Sequence, residues 1–232
     1  MTQGHSSLVV DELRKAWEPF ADPERSAKMA AYMKSRFEFF GVPAADRRGA
    51  QRPILAGLRR ASVAEILAVA DACWAEPERE FQYAGADLLR THAKRLDVDD
   101  LGRVERLIRT KSWWDTVDAL AVHVVGRIGR DHPALSDHMD RWIDDDDIWI
   151  ARTAILHQHD WKDATDRDRL FGYVRKRAAD REFFIRKALG WALRAYGRTD
   201  PEAVRNFAAA EGSTWSGLTF REATRLLDDQ LA

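Results

Sequence analysis

The sequence predicts an all-α fold: an α-α superhelix, or solenoid, of stacked helix pairs with a concave binding face, spanning residues 1–232 as a single domain. Three observations carry this expectation. Apolar residues recur at helical spacing along most of the chain. Strand-like alternation bounded by turn signals is hard to find. Helices of similar pattern return every 33 to 35 residues.

In chain order, helical periodicity runs through SLVVDELRKAWEPF (7–20), SAKMAAYMKSRFEFF (26–40), SVAEILAVADACWAE (62–76), EFQYAGADLLRTHAKRL (80–96) and LGRVERLIRT (101–110). It continues through WWDTVDALAVHVVGRIG (113–129) and onward to REATRLLDDQL (221–231). Gly41-Val42-Pro43 and Arg47-Arg48 read as a turn followed by a basic loop. The run Asp144 to Asp147 reads as a solvated turn and helix N-cap.

Composition bounds the function classes. With 45% apolar residues in 232, the chain can bury a sizeable core, and a charged fraction of 32% fits a helix-rich soluble protein. Cys73 is the single cysteine, so an intrachain disulfide framework is excluded and a reducing, cytoplasmic setting is expected. Cys73 itself reads as a small buried hydrophobe. The start, MTQGHSSLVVDELRK, does not have the pattern of a signal peptide, and no stretch of about 18 apolar residues suggests a membrane span. The net charge of −1 neither demands nor excludes an acidic partner; any such partner requires that the arginines be gathered on one face.

The repeats can be aligned. WDTVDALAVHVVGR from Trp114, WIARTAILHQHDWK from Trp149 and FIRKALGWALRAYG from Phe184 are offset by 35 residues each, and FQYAGADLLRTHAK from Phe81 precedes the first by 33. Each is paired with a more polar helix, such as VERLIRT, LSDHMDRWIDD or DRLFGYVRKRAAD. A two-helix unit of this length cannot bury its apolar face alone, so units stack into a solenoid of HEAT or related type.

The register places residues as well as helices. With Trp114, Trp149 and Phe184 at position zero, Asp118 stands at position four, Arg152 at three and Trp191 at seven. These positions lie on one helical stripe, and equivalent helices sit side by side about 10 Å apart. Trp114, Asp118, Arg152 and Trp191 should therefore converge on one surface. At this point two readings stand: the stripe is core with an Asp–Arg structural bridge, or it is a site.

The same residues carry a family resemblance. TKSWWDTVD (110–118), IWIARTAIL (148–156) and IRKALGWALRAYGRTDPEAV (185–204) resemble the DNA alkylation repair family of AlkD-type DNA glycosylases. So do AYMKSRFEFFGVP (31–43) with the DRR after it, and EREFQYAGADLL (78–89), so that the likeness runs from about Ser26 to Pro201. The resemblance implies a HEAT-like solenoid that holds duplex DNA on a positively charged concave surface. It implies excision of positively charged N3- and N7-alkylated purines, such as 3-methyladenine and 7-methylguanine, with no metal or other cofactor. By motif, Asp118 is the catalytic carboxylate, Trp114 and Trp191 its aromatic partners, and Arg152 the arginine beside them. His157 and His159 stand where the family is often more apolar. On a helix those two imidazoles point apart with no cysteine near, so no metal site is expected.

That chemistry suits these side chains. Alkylation at N3 or N7 makes the purine a cationic leaving group, and its departure leaves an oxocarbenium-like sugar. A carboxylate can stabilise that cation and orient water, and indole faces favour its charge. Arg152 can clamp a flanking phosphate, and Arg194, Lys111, Arg47 and Arg48 are further candidates for backbone phosphates. A deep pocket for a flipped base is not obligatory. The expectation is a monomeric, cytoplasmic, nucleoid-associated alkylpurine DNA glycosylase. The alternatives are a non-catalytic solenoid that binds damaged or branched DNA, and a protein-binding scaffold.

Overall fold

The computed structural model describes residues 2–227 of the chain, with side chains from residue 4. Among the described residues there are helices and no strands; one isolated bridge joins Glu38 and Glu78. The fold is all-α, and no described helix is long and apolar enough to cross a membrane. The chain divides into two compact units, Met1–Leu96 and Asp97–Ala232.

The first unit holds α1 (Thr2–Trp17), α2 (Pro23–Tyr32), α3 (Ala44–Gly57), α4 (Val63–Ala75) and α5 (Arg79–His92). Local chemistry starts two of them. Asp22 accepts from the N–H groups of Glu24 and Arg25 ahead of Pro23, and Ser62 and Glu65 form a reciprocal capping box on α4. Helix α4 buries Ile66, Leu67, Val69, Ala70 and Cys73 against α1 and α5. Cys73 is fully buried, and desolvation pushes its thiol up to about 12.

Two expectations are corrected here. The periodicity over 26–40 does not form one helix: α2 ends at Tyr32, and Lys34 and Ser35 take left-handed backbone at φ 58° and 54°. Beyond Ser35 the chain is extended, and its aromatics seek the core instead. Phe39 is buried, Phe40 packs 5.8 Å from Phe81, and Phe37 lies 3.8 Å under the Arg79 guanidinium. Gly41 turns this segment at φ 82°, where a Cβ would collide with the Asp22 carbonyl. The buried Glu80 carboxylate then accepts from the N–H groups of Phe40, Gly41 and Val42 at 3.0–3.2 Å. Second, Arg47 and Arg48 stand on helix α3, where their sequence suggests a loop. The mixed Gly, Pro and Arg content of 44–57 masks its period, and Pro53 lies inside the helix.

The second unit holds α6 (Leu101–Arg109), α7 (Trp114–Leu120), a π-helical segment (Ala121–Val125) and α8 (Gly126–Asp131). It continues with α9 (Leu135–Trp142), α10 (Ile148–Leu156), α11 (Arg167–Arg177), α12 (Phe183–Tyr196), α13 (Pro201–Glu211) and α14 (Gly217–Thr224). Residues 228–231 of the expected final helix lie outside the described residues. Starts at Trp114, Ile148 and Phe183 keep the 35-residue register to within a residue. The polar partners VERLIRT, LSDHMDRW and DRLFGYVRKR form α6, α9 and α11. Helix α10 packs on α6, α7, α9, α11 and α12, and α12 packs on α10, α11, α13 and α14. Asp147 caps α10 at the Trp149 N–H, while Asp145 and Asp144 hold Arg109 and Lys176. The acidic run is therefore the turn and cap that its sequence suggests.

Candidate functional site

The site is built from three neighbouring repeat helices of the second unit. Trp113, in extended backbone at φ −162°, ends the turn before α7. Two residues earlier Lys111 takes φ 52°, which swings the chain into the tryptophan pair. The two indoles then part. Trp113 joins Trp149 and Phe184 in an aromatic cluster with ring centres 4.9–5.6 Å apart. Trp114, first residue of α7, lines a cavity of about 330 Å³ with Asp118, Arg152, Phe183, Phe184, Lys187, Trp191 and Arg194.

The stripe deduced from the repeat register thus converges: Trp114, Asp118, Arg152 and Trp191 share one cavity. Asp118 and Arg152 are bonded, not merely near. Arg152 donates from Nε to Asp118 Oδ1 at 2.6 Å and from one Nη to Oδ2 at 2.7 Å. Its other Nη donates to the Phe184 carbonyl. Arg152 is buried, and the pair is dry on one side, with side-chain exposures of 4% for Arg152 and 15% for Asp118. Sequence reasoning assigns this arginine to a flanking phosphate; in the structure its donors face the carboxylate and the Phe184 carbonyl.

The electrostatics are set by that geometry. Burial pushes the Asp118 carboxyl above the ordinary aspartate range, and the hydrogen bonds and charge of Arg152 pull back against it without cancelling the rise. A carboxylate offers about four acceptor positions, and a bidentate arginine takes two. Asp118 therefore keeps lone pairs for a water or a developing cation on its cavity side.

Three lining residues escape sequence reasoning. Phe183, 56% exposed, and Phe184 form the lip, and Lys187 stands one turn before Trp191. A signal exists: residues 183, 187, 191 and 194 keep helical spacing along one face of α12. Lys187 and Arg194 meet on a single carboxylate, Glu222 of α14, at 2.5 and 2.6 Å. Gly190 makes this possible, because a Cβ there would collide with the Glu222 side chain and crowd the Thr219 carbonyl. The glycine lets α14 close onto α12 and sets Glu222 beside both cations.

The remaining candidates fall elsewhere. Lys111 is half-buried in the turn before α7 and is not among the cavity's lining residues. In the first unit Arg48 is exposed, whereas Arg47 is buried and bonded to Gln51 at 2.9 Å and Asp87 at 3.1 Å, its guanidinium over Tyr83. Among the described residues, no three of the His, Cys, Asp and Glu side chains group to hold a metal ion. His157 is buried and donates from Nδ1 to the Ala154 carbonyl at 2.7 Å, which fits a core histidine.

A search of curated proteins gives no match. Among solved structures the chain is similar to one described as a predicted DNA alkylation repair enzyme from Enterococcus faecalis. The TM-score is 0.82 at 29% identity, over 88% of this chain and 95% of that one. The family model for the DNA alkylation repair enzymes matches residues 13–227, which takes in every helix of the cavity. The chain belongs to the DNA alkylation repair enzyme family.

Proposed function

We propose that this protein is a DNA glycosylase that excises positively charged N3- and N7-alkylated purines from duplex DNA by hydrolysing the N-glycosidic bond. The observation that carries the reading is a single cavity in which one ionisable carboxylate is flanked by two indoles. Asp118 is the electrostatic group. As the alkylated base departs with the bonding pair, positive charge grows on the sugar, and the carboxylate stabilises it and orients the attacking water. Trp114 and Trp191 supply π faces for the deoxyribose as it becomes cationic. Arg152 holds Asp118 in place; its two hydrogen bonds favour the ionised carboxylate and fix its plane. The base needs no strong general acid, since it leaves as a neutral purine. Selectivity then comes in part from the lability of the lesion, since ordinary purines lack the charge.

DNA is the partner that the family implies. Lys187 and Arg194, which line the cavity, are the proposed phosphate contacts. No metal or cofactor is required by this chemistry. One observation favours a second reading, a non-catalytic DNA-binding protein: Asp118 and Arg152 satisfy each other as a structural bridge would. An oligonucleotide duplex carrying a single 7-methylguanine separates the two. The glycosylase reading expects alkali-labile abasic sites to accumulate at that position with excess protein. Binding of the same duplex with no abasic product would favour the second reading.

A further inference from the structure

Behind Trp191 lies a polar chain that the chemistry above does not use. After α10 the backbone turns sharply, with the His159 N–H on the Leu156 carbonyl at 2.9 Å. The turn brings the His159 imidazole to 4.4 Å from the Trp191 indole, centre to centre, inclined at 58°. Asp160 Oδ1 lies 2.8 Å from His159 Nδ1, and Oδ2 of the same carboxylate lies 3.6 Å from His123 Nδ1. His123 belongs to the π-helical segment that continues α7, the helix that bears Asp118. The Asp160 carboxylate therefore stands between His123, on the segment that continues α7, and the ring behind Trp191.

The hydrogen-bond logic fixes that ring. An ionised carboxylate only accepts, so the His159 proton sits on Nδ1 and points to Asp160. Nε2 is then an acceptor; it is buried and finds no hydrogen-bond partner among the described residues. A buried polar atom left unbonded costs stability. Packing against an indole alone does not ask for that cost, because a phenylalanine would fill the space without it. What imidazole adds is an anchor.

We propose that His159, tethered by Asp160, is a positioning residue for Trp191: the carboxylate fixes the imidazole, and the imidazole fixes the indole wall of the cavity. The inference rests on the glycosylase reading for its effect on rate, but not for its effect on the indole. The charged and titratable groups around the ring are Asp160 on its own turn, His123 on the π segment, Asp118 on α7 and Tyr196 on α12. An imidazolium at this place sets a cation against the indole, opposing the cation that the indole is there to favour.

The test uses the full chain with His159→Phe, which keeps a ring but loses the tether, and Asp160→Ala, which removes the tether from an exposed position. Trp191→Phe serves only as a fluorescence blank. Emission of the wild type minus the blank should fall on acidification, since an imidazolium quenches a neighbouring indole. That quench should vanish in His159→Phe and weaken in Asp160→Ala, where the tether no longer holds the ring against the indole. Single-turnover excision at saturating duplex should fall by about tenfold in both variants, the scale expected when a wall of the site shifts by a fraction of an ångström. Duplex affinity should stay that of the wild type, and the melting temperature should not fall in either variant. A quench that persists in His159→Phe overturns the proposal, as does an unchanged excision rate in both variants. If the wild type excises nothing, the glycosylase reading fails, and the fluorescence titration alone still decides whether His159 holds Trp191.

Discussion

Replacing Asp118 by asparagine keeps the side chain's shape and removes its charge, and the structure sets the size of both consequences. Both Asp118 oxygens accept from Arg152, at 2.6 and 2.7 Å. An asparagine carbonyl can keep one of these bonds, while its NH₂ confronts the other guanidinium N–H. One buried donor is then left unsatisfied, at about 1–3 kcal/mol. The neutral amide also escapes the burial that raises the carboxyl's pKa, which moves the net loss toward the lower end. For a chain of this size about 1 kcal/mol corresponds to roughly 2–4 °C in Tm, so a fall of a few degrees is expected and the variant stays folded at 25 °C. The rate is affected more. Loss of one preorganised electrostatic group costs on the order of 3 kcal/mol, or about a hundredfold. Duplex affinity should hold or rise slightly, because a charge that repels phosphate is gone. Thermal melting, a binding titration and single-turnover release of 7-methylguanine read the three parts separately. A variant that melts a few degrees lower yet excises at the wild-type rate refutes the catalytic role and leaves a structural bridge.

The same geometry carries other expectations. Glu222→Gln frees Lys187 and Arg194 from their carboxylate, so duplex affinity should rise by about three- to tenfold at low salt with a steeper salt dependence; a fall in affinity would mean that Glu222 is needed to aim the two cations. His157 is held well below its ordinary range, at about 4, by complete burial. Its unfolded state therefore binds the proton first as pH falls, so stability should decline by on the order of 3 kcal/mol from about pH 6.5 to 4 and then level off. Denaturant unfolding across that window should show the loss in the wild type and a smaller one in His157→Phe. Excision should survive a strong chelator, since the proposed chemistry uses only a carboxylate, water and indoles; loss on chelation with rescue by a divalent ion would count against it.

The repeat register is the most legible feature of this chain. Spacing of 35 residues puts Trp114, Trp149 and Phe184 on equivalent helices, and position counting alone brings Trp114, Asp118, Arg152 and Trp191 into one cavity. Periodicity works there because each helix has one buried stripe, and a polar residue on that stripe needs a reason. Other features depend on distances that periodicity does not carry. That Arg152 bonds Asp118 and not a phosphate depends on how closely α10 approaches α7. Arg47 and Arg48 are equal in sequence, but the first faces Gln51 and Asp87 in the interior while the second faces solvent. The π segment at Ala121–Val125, which carries His123 toward Asp160, has no pattern in AVHVV that distinguishes it from ordinary helix. The ring pair of His159 and Trp191 joins the turn after α10 to α12, and neither stretch announces the other.

The central claim is that a glycosidic bond is broken in this cavity, and the most direct measurement is the product itself. Duplex DNA treated with a methylating agent is incubated with excess wild-type protein, and the small-molecule fraction is analysed by mass spectrometry. The account predicts free 7-methylguanine and 3-methyladenine, one abasic site for each base released, and no free purine from unmodified duplex. Tight binding of the methylated duplex with no base in the small-molecule fraction would contradict it.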